Sequence, residues 1–298
     1  FHLTHGNPFY VSFLLRKMEE VGAIKGANGS WSWDMENFSA MKLPEDIKDF
    51  MREELEGLPL KEKEIVQLIS DFGGTVSEEI LELFVPLKSE EGKNAIAKLC
   101  DKALLVIHQP SDKKQLALAH DILHEIVYTF QSSREKREKY FRLATILAEN
   151  GYGETAPEKV GNFLLQANEK KLEDGGQQWV SILGNAGVRS LERSNIKLAL
   201  KFFRLGEAIA NKANLSWSPK DQLAFHLAFL KTLYVNEEEG EARALYQKLI
   251  EDYPDCDDQL EIKMAYIYCH AYNGEWEKVL TLGKDILSSL GLRLSGPG

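Results

Sequence analysis

Three helix-like stretches in the second half of the chain constrain the fold most. Residues 195–211, 241–253 and 274–290 each place small and large apolar residues at helical spacing, and they recur at intervals of about forty residues. The whole chain of 298 residues has only nine prolines, and long stretches contain neither glycine nor proline. Helical units of this length bury their apolar faces by stacking on neighbours. The pattern therefore predicts an array of helical hairpins.

The small residues in these stretches match a degenerate repeat of tetratricopeptide type. They recur where neighbouring helices must approach closely, although the consensus Trp, Leu, Gly and Tyr positions are incompletely present. We expect residues 131–298 to form a right-handed, tetratricopeptide-like superhelix that begins with an amphipathic helix over 133–150. The acidic run Glu237–Glu239 is expected to be a solvated loop. Four aromatic residues are expected to lie in the core and not in a ligand cage: Phe202, Phe203, Phe225 and Phe229.

The region before the array has the element order of a winged helix. The sequence predicts helices over 60–72, 75–84 and 90–102. Two apolar runs, 103–107 and 115–119, then flank a polar turn, which is a hairpin signal. A further amphipathic helix is predicted over 120–130. We therefore expect a winged-helix domain over residues 58–130.

The first 57 residues predict a short helical module with a linker. Asn7 can cap a helix whose first turn contains Pro8, since a missing N–H costs nothing there. The helix is predicted over 9–21, ends at Gly22, and carries apolar residues on more than one face, which indicates burial. Trp31 and Trp33 alternate with small polar residues, which predicts a strand or hairpin docked on its aromatic side. A further helix is predicted over 47–58. The fold class is therefore mainly α, with domains at 1–57, 58–130 and 131–298.

Composition argues against nucleic acid and membrane as partners. The formal net charge is −10, whereas nucleic-acid binding relies on clustered Lys and Arg. The third helix of the winged helix, which would contact DNA, contains no Arg and mixes its lysines with acids. No apolar run is long enough to span a bilayer. Three widely spaced cysteines indicate reduced thiols, so a cytoplasmic location is expected.

No catalytic centre emerges from the motifs. Residues 89–94 are the nearest string to a P-loop, but they lack its first glycine and its hydroxyl. His120 and His124 have metal-ligand spacing on a helix, yet Asp121 stands where a zincin has Glu, and a third ligand is missing. Cys269 and its neighbour His270 point apart on a helix. We therefore expect no enzymatic activity, no metal site and no cofactor held by this chain alone.

Two short strings nevertheless resemble motifs of one protein class. Gly6-Asn7-Pro8-Phe9, followed by a long apolar helix, resembles the Gly-x-Pro module of STAND-class signalling ATPases. Ala119-His120-Asp121 at the end of the hairpin resembles the Met-His-Asp motif of the same class, with Ala119 in place of Met. Both strings are also similar to the ATPase-like module of large sensor kinases. The order of module, winged helix and helical repeats extends the resemblance over nearly the whole chain.

The resemblance implies a role in sensing a nucleotide. Pro8, with Gly6 and Asn7, would lie against the adenine, and His120 would contact the terminal phosphate of ADP. The P-loop domain of the class is absent, so ATP or ADP would bind only in a longer parent protein, of which this chain is expected to be a piece. The implied function is regulatory: coupling nucleotide state in an upstream ATPase domain of the same polypeptide to an unknown protein partner on the repeats.

Two alternative functions remain open at this point. One is a stand-alone, tetratricopeptide-like adaptor or scaffold whose winged helix serves only packing. The other is a winged-helix transcription regulator, which should bind duplex DNA with a strong salt dependence. An adaptor should bind its partner without nucleotide and should need only the residues after about Gln131.

Overall fold

The computed structural model describes residues 8–27, 30–40, 47–109, 113–213, 215 and 217–292. The chain divides into two compact units, residues 1–132 and 133–298. Over the described residues the structure has seventeen helices and five short strands, so the predicted mainly-α class is confirmed. None of the helices in these ranges is both long and apolar enough to cross a membrane. The predicted division of the first unit at residue 57 stays a prediction.

The first unit opens with a small helix-and-hairpin module. Its elements are α1 (Pro8–Glu20), β1 (Ile24–Ala27), β2 (Ser30–Trp33), α2 (Met35–Ala40) and α3 (Ile47–Glu56). The strands are antiparallel and pair Ile24 with Trp33 and Gly26 with Trp31. Met18, Ala23 and Ile24 form a small buried cluster that Leu14 and Phe38 cover in part. The predicted hairpin around the two tryptophans is therefore present.

Two burial predictions for this module are wrong. Leu15 on α1 is 45% exposed and Val11 is also exposed, so α1 buries one face and not several. Trp31 and Trp33 are 65% and 63% exposed, so the hairpin is not docked on its aromatic side. The physical reason is size, because two strands of four residues each cannot cover both a second helix face and two indole rings.

The rest of the first unit packs four helices around a three-stranded antiparallel sheet. Its elements are α4 (Leu60–Asp71), β3 (Thr75–Ser77), α5 (Glu78–Glu82), α6 (Glu90–Asp101), β4 (Leu105–His108), β5 (Gln115–Leu118) and α7 (Asp121–Tyr128). The strand order is β3-β5-β4. The predicted hairpin is confirmed, with Leu105 opposite Leu118 and Ile107 opposite Leu116.

One element of this region differs from the sequence prediction. Residues 75–77 form a strand that pairs with β5, whereas the sequence predicts a helix start there. Gly73 and Gly74 both have positive φ, which returns the chain to the sheet edge before Thr75. The helix begins only at Glu78, where the hydroxyl of Ser77 accepts a hydrogen bond from the Ile80 amide. Residues 75–77 thus add a third strand to the predicted hairpin, and the winged-helix identity of this region stays a prediction.

The second unit is helical throughout its described residues. Its helices are α8 (Ser133–Glu149), α9 (Tyr152–Thr155), α10 (Pro157–Leu164), α11 (Glu169–Asp174), α12 (Gly176–Glu192), α13 (Ile196–Ala213), α14 (Pro219–Val235), α15 (Glu239–Asp252), α16 (Cys256–Tyr272) and α17 (Trp276–Ser289). The long helices pair in sequence order, α12 with α13, α14 with α15 and α16 with α17, and α14 also packs on both α12 and α16. The predicted helical-repeat organisation is thus present in this unit.

Aromatic side chains form the centre of the second unit. The rings of Phe203 and Phe225 meet edge to face at 5.2 Å, and Phe203 stacks on Phe229 at 5.8 Å. All three rings and Phe202 are buried, which confirms the predicted core. Gly187 on α12 makes room for them, because a Cβ there would lie 2.6 Å from the ring of Phe203. Burial of such rings contributes several kcal/mol each.

The acidic run between α14 and α15 is not simply a solvated loop. Glu237 has positive φ and ends the turn, while Glu239 is the first residue of α15. Glu238 is partly buried and pairs with Arg204 of α13, which also contacts Glu241 at 2.7 Å. The predicted loop therefore contributes to helix packing, because an arginine of the neighbouring helix neutralises part of its charge.

Candidate functional site

His120 lies at the junction between the sheet and α7. Its backbone is extended and precedes the first residue of the helix, and the residue is exposed. The backbone on either side is anchored: the Leu118 amide donates to the Gly74 carbonyl at 2.8 Å, and the Ala119 amide donates to the Leu104 carbonyl at 3.0 Å. The imidazole is thus held at the surface on a rigid backbone.

The charge state of His120 follows from this position. Partial burial lowers the pKa of the imidazole, and the neighbouring Asp121 carboxylate only partly opposes that shift. With its pKa below the ordinary value of 6.5, the ring is mainly neutral at pH 7. A neutral imidazole donates one hydrogen bond and accepts another. It can therefore contact a phosphate oxygen without first gaining a proton.

Pro8, the other described member of the predicted nucleotide-sensing set, begins α1. It is exposed and occupies the first position of the helix. Gly6 and Asn7 lie outside the described residues. Pro8 and His120 belong to the same compact unit. That the two side chains face one common cleft stays a prediction.

A partly buried carboxylate attaches α1 to the body of the unit. Glu54 on α3 accepts hydrogen bonds from Lys17 of α1 at 3.0 Å and from Lys102 at 2.6 Å. Burial alone would raise the pKa of Glu54, but these two ammonium groups outweigh burial and lower it. The side chain of Arg16 also donates to the carbonyl of Asp101. Helix α1 is thereby held by charged contacts in addition to its small apolar cluster.

Beside these contacts, α1 and the hairpin enclose an open groove of about 500 Å³. Leu15 and Arg16 line it from the helix, and Trp31 and Trp33 line it from β2. The two indoles share one face of the strand because they are two residues apart. The sequence alternation of tryptophans signalled this hairpin, but it did not signal that the rings face outward.

The residues that suggest a metal or DNA site have other partners. Among the described residues no group of three or more His, Cys, Asp or Glu side chains is arranged to hold a metal ion. His124 stacks on Tyr128 with ring centroids 6.3 Å apart. The lysines of α6 lie beside carboxylates, with Lys98 at 3.9 Å from Glu62 and Lys93 at 3.3 Å from Glu90.

The cysteines do not form a nucleophilic centre with a histidine. Burial raises the pKa of Cys269 to about 11, so its thiol stays protonated at neutral pH. The neighbouring His270 instead contacts the Tyr234 hydroxyl at 2.6 Å and the carboxylate of Glu275. Burial also raises the pKa of the Cys100 thiol.

The second unit contains a cleft of about 250 Å³ between α12 and α14. Three polar residues spaced one helical turn apart line it from α12: Gln177, Ser181 and Asn185. Trp217 and Asp221 line the opposite side. Gly184 lets Phe225 pack closely against α12, because a Cβ there would lie 3.0 Å from its ring. The i, i+4, i+8 spacing of these three polar residues on α12 was the sequence signal that could have located this cleft.

Comparison with known proteins adds one similarity. No family model matches the sequence, and no curated protein matches it. Among solved structures, the chain is similar to a signal transduction ATPase with numerous domains (STAND) protein with a tetratricopeptide repeat sensor from Pyrococcus horikoshii. The two share 13% identity at a TM-score of 0.39, over 96% of this chain and 43% of that one. This chain thus spans less than half the length of that protein, and similarity at this level supports no inference about function.

Proposed function

We propose that this chain is a non-catalytic regulatory and protein-interaction segment of a nucleotide-dependent signalling ATPase or sensor kinase in the cytoplasm. Its task is to couple the nucleotide state of an upstream ATPase domain in the same polypeptide to binding of a protein partner. The observation that supports this proposal best is the position of His120. An exposed, mainly neutral imidazole stands on an anchored backbone where β5 leads into α7.

The position of His120 suits recognition of a terminal phosphate. The amide of Leu123 donates to the carbonyl of His120 at 3.0 Å, so the amides of Asp121 and Ile122 come before this first hydrogen bond, at the positive end of the helix dipole. Together these groups would favour an anion such as the β-phosphate of ADP. The carboxylate of Asp121 opposes an additional negative charge at the same place. The contact would therefore differ between ADP and ATP, and such a difference is what a nucleotide-dependent switch requires.

Pro8, the first residue of α1, would pack against the adenine ring. The resemblance assigns Gly6 and Asn7, which lie outside the described residues, to the same contact. The nucleotide itself would bind between these residues and an upstream P-loop domain, so this chain alone is expected to hold neither ATP nor ADP. Movement of the nucleotide-bound domain would then act on α1. The contacts of Lys17 with Glu54 and of Arg16 with the Asp101 carbonyl would pass that movement to the rest of the first unit.

The partner-binding part of the proposal rests on the cleft of the second unit. Gln177, Ser181 and Asn185 present amide and hydroxyl groups, and Trp217 presents an apolar ring, on opposite walls of the same cleft. This combination suits an extended peptide segment with both backbone polar groups and an apolar side chain. The same cleft favours the alternative of a stand-alone adaptor, whose binding would need no nucleotide.

Restoring the upstream ATPase domain of the parent allows a direct test. His120→Ala should lower the ADP retained after gel filtration at least tenfold, about 1.4 kcal/mol of binding free energy. His124→Ala is the matched control, because His124 lies one turn further along α7 and stacks on Tyr128. Equal ADP retention by wild type and His120→Ala would refute the phosphate role.

A second measurement separates the switch from the adaptor. Partner binding by the restored protein is compared with and without nucleotide, and then with residues 131–298 alone. The switch predicts binding that changes with nucleotide state, whereas the adaptor predicts equal binding in all three samples. Measurable ATP hydrolysis by the purified 298-residue chain would contradict both functions.

A further inference from the structure

The last helical hairpin of the second unit, α16 with α17, presents an apolar face to solvent. Met264 on α16 is 50% exposed, and Trp276 and Leu280 on α17 are 64% and 62% exposed. Leu290, just beyond the end of α17, is 48% exposed. Large apolar side chains at this exposure, gathered on two neighbouring helices, indicate a surface for another protein segment.

The preceding hairpin shows how an equivalent face is covered. On α14 a stripe of four residues spaced 4, 3 and 4 positions apart lies on one side of the helix: Leu223, Leu227, Leu230 and Tyr234. Tyr234 identifies the neighbour, since its ring meets those of Tyr266 and His270 on α16 at 5.9 Å and 5.1 Å. All four residues of the stripe are buried. This stripe is therefore the side of α14 that α16 covers.

The turns after α14 and α16 establish which residue of α16 is equivalent to each residue of α14. Glu237 and Gly274 both have positive φ in these turns. The amide of Glu238 donates to the carbonyl of Leu233 at 2.9 Å, and the amide of Glu275 donates to that of His270 at 2.9 Å. Each pair of equivalent residues is separated by the same 37 positions in the numbering. The two hairpins thus share one backbone register.

Applied to α16, this register identifies a matching stripe. The positions equivalent to the covered stripe of α14 are all apolar: Leu260, Met264, Ile267 and Ala271. None of them is fully buried, whereas all four residues on α14 are. Met264 shows the difference most clearly, because its counterpart Leu227 is only 6% exposed. The sequence of α16 therefore preserves a helix-binding face that the described residues cover only in part.

We propose that this face binds an amphipathic helical hairpin of a partner protein, whose leading helix lies on α16 as α16 lies on α14. The contact on α14 specifies the chemistry of the occupant. Its leading helix should carry branched or aromatic residues spaced like Ile262, Tyr266 and Cys269, the buried side of α16 on which Tyr266 meets α14. Its second helix should cover Leu280 and Leu290. This contact is independent of the nucleotide role of the first unit.

A peptide of residues 256–292 is the probe, because in the chain this hairpin already covers the equivalent stripe of α14. The peptide carries one fluorescent label and is titrated into the full 298-residue chain. Its fluorescence anisotropy should show saturable binding. Met264→Glu in the chain should weaken binding at least tenfold, since it places a charge in the apolar contact. Met35→Glu is the matched control: Met35 is 65% exposed in the first unit and should leave binding unchanged.

Three outcomes would overturn the proposal. The first is absence of saturable binding at peptide concentrations up to about 500 µM, a weak-affinity limit. The second is binding that Met264→Glu leaves unchanged, which would mean that the peptide replaces the chain's own α16–α17 hairpin. The third is self-association of the chain in sedimentation velocity that Met264→Glu abolishes, because the occupant would then be a second copy of the chain.

Discussion

Aromatic residues behave in opposite ways in the two units of this protein. Trp31 and Trp33 in the first unit are mostly exposed, whereas Phe203 and Phe225 in the second are buried. Both sets lie on regular elements with suitable spacing, so propensity does not separate them. The difference is the amount of neighbouring structure: four-residue strands beside one helix in the first unit, and several long helices in the second. An aromatic stripe is therefore core only where enough chain surrounds it.

The largest expected effect concerns the buried phenylalanines of the second unit. Phe203→Ala should lower the free energy of unfolding of the second unit by about 3–5 kcal/mol, because it removes a ring that packs on two others. The measurement is chemical denaturation, with unfolding of the second unit followed by hydrogen exchange in α13. A loss below about 1 kcal/mol would mean that the phenylalanine cluster does not hold this unit together.

Lowering the pH should disturb the same cluster through His226. Burial lowers the pKa of this histidine to about 4, and the ring stacks on Trp217. Because the unfolded chain binds a proton near pH 6.5 and the folded chain only near 4, stability present above pH 6.5 is lost as pH falls to 4. The loss is ~3 kcal/mol at most.

His226→Phe is the variant that checks this pH dependence. It should flatten the fall in the free energy of unfolding between pH 6.5 and pH 4. Among the described residues the Nδ1 atom of His226 has no hydrogen-bond partner, and the Nε2 atom lies 3.9 Å from the carboxylate of Glu207. The substitution therefore removes a buried unpaired polar atom and gives up only this one long contact. His108→Phe, at an exposed histidine of the first unit, serves as the control and should retain the wild-type slope.

A substitution on α12, which packs against the phenylalanine cluster, tests the packing of the second unit without removing an aromatic ring. Gly187→Ala introduces a Cβ at 2.6 Å from the ring of Phe203 and should cost about 1–3 kcal/mol by overpacking. Gly240→Ala is the matched control, because Gly240 lies in α15 with nothing within 4 Å of its Cβ position. That control should be neutral or slightly stabilising. Equal denaturation midpoints for the two variants would refute the role of Gly187 in packing.

The smallest effect is expected for the exposed tryptophans of the first unit. Trp31→Ala should change the free energy of unfolding of the first unit by less than about 1 kcal/mol, since only one face of the indole rests on Gly26. Thermal unfolding followed by circular dichroism measures it. A loss as large as that of Phe203→Ala would show that the first unit buries its tryptophans in solution, and the contrast between the units would be lost.

Helix positions and the phenylalanine core of this protein could be predicted closely from sequence, while burial in the first helix-and-hairpin module could not. The helices over 133–150 and 90–102 end within a residue or two of their predicted bounds, because apolar periodicity and caps such as Ser89 are local signals. Strand β3 was missed because three residues after two glycines carry no periodic signal, and only pairing with β5 makes them a strand. For the candidate site, the sequence likewise predicts which residues belong to it but not how their side chains are arranged in space.

The sequence by itself determined the mainly-α class, the hairpin that leads to His120 and the phenylalanine core, since spacing and side-chain volume are properties of neighbouring residues. Only the tertiary structure decided that Trp31 and Met264 face outward and that Gln177 and Asp221 meet across a cleft. Exposure and clefts depend on which elements are placed side by side, and that placement is set by contacts far apart in the chain.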